Sequence, residues 1–64
     1  MNVAPLEQRL LRVPEVMAVL GLSRWQIYNL IRSGELESVK VGRSRRVPVA
    51  AVDNFVTRLR EEAA

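Results

Sequence analysis

At 64 residues the chain suffices for one small domain, which buries only about 60% of its unfolded surface and offers no room for a sizeable metabolite or cofactor. With no Cys and no His, it lacks the means for thiol chemistry, imidazole acid–base work, a disulfide framework and most transition-metal sites. The net charge of +3 and pI near 10.6 point instead to a polyanionic partner.

The charge is unevenly placed. From Arg24 to Arg46 there are six basic residues against two acidic ones, whereas the rest of the chain is slightly acidic. Nucleic acid is the partner that suits such a field. No apolar run approaches the roughly 20 residues of a membrane span, and the N-terminus does not read as a signal peptide. A cytoplasmic, nucleoid-associated protein without membrane contact is therefore expected.

Residues 1–9 show no clear period and read as a flexible N-terminal arm. Val13, Val16, Met17 and Leu20 recur at helical spacing. Pro14 falls in the first turn, where its missing N–H costs nothing. Glu15 favours the helix dipole, and Gly21 ends the helix. Arg12 stands where a Ser, Thr or Asp cap is usual. Gly21-Leu22 is then a turn, and Leu22 precedes Ser23 as a hydrophobic staple toward Ile27.

Ser23 with Gln26 three residues on forms a capping box, so a second helix starts there. Gly34 stops it. At about 100° per residue, Ile27, Leu30 and Ile31 share one face. Trp25, Tyr28, Asn29 and Arg32 occupy the other at i, i+3, i+4 and i+7, without an acid among them. An ordinary surface helix would carry Lys, Glu and Gln there. An indole, a phenol, a carboxamide and a guanidinium suit base edges, base methyls and phosphates.

Leu36 is the apolar anchor of the connector that follows. Ser38-Val39-Lys40-Val41 alternates as a strand does. Gly42-Arg43-Ser44 is a turn, Arg45-Arg46-Val47 returns, and Pro48 closes the hairpin. Pairing Val41 with Arg45 and Val39 with Val47 puts the valines on one face and sets Lys40 against Arg46 on the other. A one-residue slip would mix the faces. A looser pairing of Val41 with Val47 keeps the parity and stays open. Like charges opposite each other are unfavourable, so the hairpin is read as meeting an anion; the alternative is edge protection against aggregation. Finally, Val52, Phe55, Val56 and Leu59 form an amphipathic helical stripe, read as structure with Phe55 at the centre of the core. Residues 61–64 are expected to fray.

The order helix, turn, helix, basic hairpin, helix makes a mostly α fold over residues 10–60: a winged helix-turn-helix of three helices and a two-stranded β-hairpin wing. The run Ile27-Tyr28-Asn29-Leu30-Ile31-Arg32-Ser33-Gly34-Glu35-Leu36, followed by Val39-Lys40-Val41-Gly42-Arg43 and Arg46-Val47-Pro48, resembles the excisionase family. That family shares its fold with the DNA-binding head of mercury-resistance-type (MerR) regulators. The resemblance implies a second helix in the major groove and a wing on the adjacent backbone or minor groove. By position, Arg24, Trp25, Gln26, Tyr28 and Asn29 match the family's recognition helix, and Lys40, Arg43, Ser44, Arg45 and Arg46 its wing. Trp25 stands where the family tends to carry something small. Ser23, at the helix start, and Arg32, on the outward face, complete the candidate DNA-binding set.

The function the resemblance implies is that of a catalytically inert architectural factor. It would bind double-stranded DNA, bend it and steer an integrase toward excision of a phage or integrated element, with self-association on DNA. A small MerR-like transcriptional regulator is the alternative within the same class. A protein-interaction adaptor, with Trp25 and Tyr28 at an interface, is the alternative outside it. No nucleophile–base constellation suggests an enzyme, and neither a cofactor, a metal nor a small-molecule ligand is expected.

Overall fold

The computed structural model describes residues 9–63, arranged as β1 (Leu10–Arg12), α1 (Val13–Leu20), α2 (Arg24–Ser33), β2 (Val39–Val41), β3 (Ser44–Pro48) and α3 (Val49–Ala63). The N-terminal arm expected over residues 1–9 lies outside the described residues except for Arg9. The three helices and the hairpin agree with the winged helix-turn-helix read from the sequence.

α1 begins with half a capping box. The Glu15 carboxylate accepts the backbone N–H of Arg12 at 2.9 Å. The Arg12 guanidinium has no acceptor to return. Gly21, at φ +67°, ends the helix in the left-handed region, and its N–H donates to the Met17 carbonyl at 2.8 Å. α2 has both halves of its box: Ser23 Oγ accepts from the Gln26 N–H at 3.1 Å, and Gln26 Oε1 accepts from the Ser23 N–H at 2.9 Å. At the other end of α2, Gly34 and Leu36 donate backbone N–H groups to the Ile31 and Leu30 carbonyls.

The structure departs from the sequence expectations at three points. The first is the sheet, which has three antiparallel strands in the order β1-β3-β2. Leu10, Leu11 and Arg12 pair with Pro48, Val47 and Arg46, and the Arg9 carbonyl accepts the Val49 N–H at 2.9 Å. The first strand therefore closes the sheet and satisfies an orphan donor at the start of α3.

The second is the register of the wing. Val39 pairs with Arg46, Lys40 with Arg45, and Val41 with Ser44, one residue away from the pairing the valine pattern suggested. Gly42 at φ +61° and Arg43 at negative φ form a two-residue loop. This is the pattern of a II′ turn, whose twist matches that of the flanking strands. Ser44 consequently belongs to the strand. Lys40 and Arg45 share the inner face with Val47, whereas Val39 and Val41 share the outer face with Arg46. Exposure of the two valines is tolerated because α1 and α3 pack on β3, and Val47 is the hairpin valine that reaches the core. Val41 is 56% exposed.

The third is the core. Val16, Ile27, Leu36 and Val47 are the fully buried side chains at its centre, with Val13, Ala51, Val52 and Phe55 around them. Phe55 is buried but not central. α3 runs on past the core, so that Leu59, the last member of its stripe, is 48% exposed.

Candidate nucleic-acid interface

The fold holds α2 by its inner face. Ile27 is fully buried, and Leu30 and Ile31 pack partly against the core. The outward face follows from helical geometry: Arg24, Tyr28, Arg32, Trp25 and Asn29 span an arc of about 140°. Trp25 is 74% exposed and Tyr28 38%, and Arg24 and Arg32 are also exposed, while Asn29 is half-buried. An exposed indole on a helix rigidly capped at its first turn is a preorganised apolar contact, since fixing the backbone beforehand lowers the ordering cost of binding.

Two polar groups of this helix start are already engaged. The carboxamide oxygen of Gln26 is held by the Ser23 backbone. Bidentate adenine recognition needs that oxygen as acceptor, so the cap competes with any base contact by Gln26. Ser23 accepts through Oγ, and its hydroxyl hydrogen stays available for donation.

An open recess of about 350 Å³ flanks α2 toward α3, with Trp25, Gln26 and Asn29 on its rim and Leu20, Leu30 and Leu59 among its apolar walls. Trp25 also lines this recess and is thus a surface group with some apolar support.

The wing presents its basic residues on both faces. Lys40 stands opposite Arg45 on the inner face, and Arg43 occupies the turn. Arg45 reaches along the strand to donate from Nη1 to Ser38 Oγ at 3.2 Å. Arg46, half-buried on the outer face, donates from Nη1 to the Arg45 carbonyl at 3.2 Å. Ser44 lies beside it, opposite Val41. Lys40 and Arg43 are exposed at the end of the hairpin. The structure thus places the twelve candidate residues on two units, α2 with its cap and the β2–β3 hairpin. It also places Arg12, whose sequence signature is only that of a weak helix cap, beside the wing. The missing signal was β1, because the proximity of Arg12 to the wing exists only through its pairing with Arg46.

Arg58, on α3, donates from Nη2 to the Glu35 carbonyl just past the end of α2. Among the described residues no group of three His, Cys, Asp or Glu is placed to hold a metal ion, and no helix is long and apolar enough to cross a membrane.

A family model described as a helix-turn-helix domain matches residues 10–60. An excisionase of Streptomyces ambofaciens is 51% identical over 47 residues, covering 73% of this chain and 76% of that protein. The chain belongs to the excisionase family of helix-turn-helix proteins. A second relative of this excisionase-family domain, named a probable excisionase, comes from Saccharopolyspora erythraea. It is 50% identical over 50 residues, or 78% of this chain and 51% of its own length, so the chain spans about half of it. A Mycobacterium tuberculosis protein, named as a candidate DNA-binding protein, is 44% identical over 48 residues, 75% of this chain and 62% of that protein. No solved structure matches.

Proposed function

We propose that this excisionase-family domain binds double-stranded DNA, with α2 in the major groove and the β2–β3 wing on the adjacent backbone or minor groove. The observation that carries the reading is the outward face of α2. Apart from the half-buried Asn29 it is exposed; it is free of acidic groups and fixed by a complete capping box, and the same fold carries a hairpin bearing Lys40, Arg43, Arg45 and Arg46. Asn29 reads a base edge, Trp25 and Tyr28 supply apolar contacts to base methyls, and Arg24 and Arg32 meet flanking phosphates. The Ser23 hydroxyl donates to a phosphate at the helix start. In the wing, Arg43 enters the minor groove or lies on its edge.

The role that follows is architectural: the domain binds sites near an attachment site, self-associates along them, bends the DNA and steers an integrase toward excision. The names of its Streptomyces and Saccharopolyspora relatives support this. Bending 20–30 base pairs by 40–90° costs of order 1–6 kcal/mol, which the α2 and wing contacts must offset. The work would be done on DNA in the cytoplasm. The test is footprinting on the DNA flanking the gene's own locus, followed by an excision assay with the integrase encoded there. Protected sites together with dependence of excision on the protein support the role. Protection at a promoter without any effect on excision would replace it with transcriptional regulation. No protection at any salt concentration would leave the adaptor reading.

A further inference from the structure

Arg12 occupies a position where the chain gives up a helix cap. Its backbone is extended (φ −79°, ψ 156°), as an N-cap requires, and no side-chain hydrogen bond caps α1 from it. The same residue ends β1, where it stands directly opposite Arg46 of β3. Residues opposite each other in an antiparallel pair project to the same face, so the two arginine side chains leave the sheet on its outer face, where Arg46 Nη1 also donates to the Arg45 carbonyl. Val39 flanks Arg46 from the other side. None of the strand residues on that face is acidic. The acid placed near Arg12, Glu15, directs its Oε1 to the Arg12 backbone N–H and so serves the helix end. Like charges opposite each other destabilise a sheet, and an arginine in a capping position forgoes a further contribution. Both costs fall on one residue, and both are offset if the pair has an anion to bind. Arginine suits that role because its planar fork matches phosphate oxygens.

We propose that Arg12 and Arg46 form a two-guanidinium phosphate site on the outer face of the sheet, so that β1 contacts the DNA backbone alongside the wing. The assignment of the phosphate to DNA rests on the function proposed above. The deciding variant is Arg12→Thr, which removes the charge and installs a capping hydroxyl. The expected result is a protein with a higher thermal midpoint that binds DNA more weakly, by the same factor on its own site and on random duplex. Its slope of log K against log salt should be shallower by about 0.9, the value for one phosphate contact. Arg12→Gln, which adds no such cap, should show the same slope change without the gain in midpoint. An unchanged slope in both variants overturns the proposal while leaving DNA binding by the domain intact.

A second arm needs no DNA. Inorganic phosphate is titrated into the wild-type protein while the arginine side-chain Nε–H resonances are followed by NMR. Saturable shifts of Arg12 and Arg46 together, lost in Arg12→Thr, support the site even if the wild-type protein fails to bind duplex, the result that would sink the DNA reading alone. Shifts that grow linearly or spread evenly over all arginines overturn it.

Discussion

Asn29 lies half-buried on the outward face of α2, one turn after Trp25, and lines the recess toward α3. Asn29→Ala should weaken binding to the specific site by roughly 1–3 kcal/mol and leave random-duplex binding nearly unchanged. Competition titrations against both DNAs check this, and equal losses would move Asn29 out of base readout. Trp25→Ala should lower the thermal midpoint by no more than a few degrees, because substitutions at exposed positions usually change stability by about 0.5 kcal/mol or less. The apolar rim around the indole sets the direction of that small change. Ile27, two residues on and fully buried, behaves oppositely. Ile27→Ala should cost about 2–5 kcal/mol, comparable with all that the core of so small a domain supplies. Thermal melts of the two variants side by side separate the exposed face of α2 from the face that folds.

At the scale of elements, both helices of the helix-turn-helix were legible in the sequence, because each is punctuated by residues with one dominant use. Ser23 and Gln26 satisfy each other's backbone, and Gly21 and Gly34 take the left-handed conformation that ends a helix. β1 was not legible: with three residues it is too short to show alternation, and Leu10-Leu11 reads equally well as the approach to α1. The wing register departs from the valine pattern for a physical reason. The valine pattern assumed that every valine seeks the core, yet the core reaches only Val47, and the turn decides the rest. The outward face of α2 was readable from its period, whereas the position of Arg12 beside Arg46 required the strand pairing. The turn itself makes a prediction. A Cβ added at Gly42 would meet nothing within 4 Å, so Gly42→Ala tests backbone strain alone. At φ +61° the substitution should cost about 1–2 kcal/mol. That corresponds to a fall in thermal midpoint of roughly 4–16 °C for a domain of this size. Gly42→Asn should cost less, since Asn enters the left-handed region more readily. Equal midpoints for wild type and Gly42→Ala would mean that the turn is not what sets the register.

Across the whole molecule, extents of 42 × 24 × 19 Å make an elongated body, and its excess of positive charge is confined to the stretch holding α2 and the wing. Nonspecific attraction to a phosphate backbone should therefore come from a few side chains rather than from net charge in general. Lys40 and Arg43 are the exposed basic residues at the end of the hairpin. Arg45 is tied to Ser38, and its removal should matter less. Replacing Lys40 and Arg43 together by Ala should weaken binding on every sequence and flatten the salt dependence by about 1–2 units of slope, one for each phosphate no longer neutralised. Thermal stability should hold, because neither side chain is buried. Arg60→Glu, which lowers the net charge by the same two units on α3 away from the basic stretch, supplies the comparison. If net charge alone governs association, the α3 variant flattens the slope as much as the wing variant does. If the wing touches the backbone, only the wing variant does so. An unaltered slope in the wing variant would assign its charges to protecting the β2 edge from strand-to-strand aggregation, and that variant should then precipitate at concentrations where the wild type stays in solution.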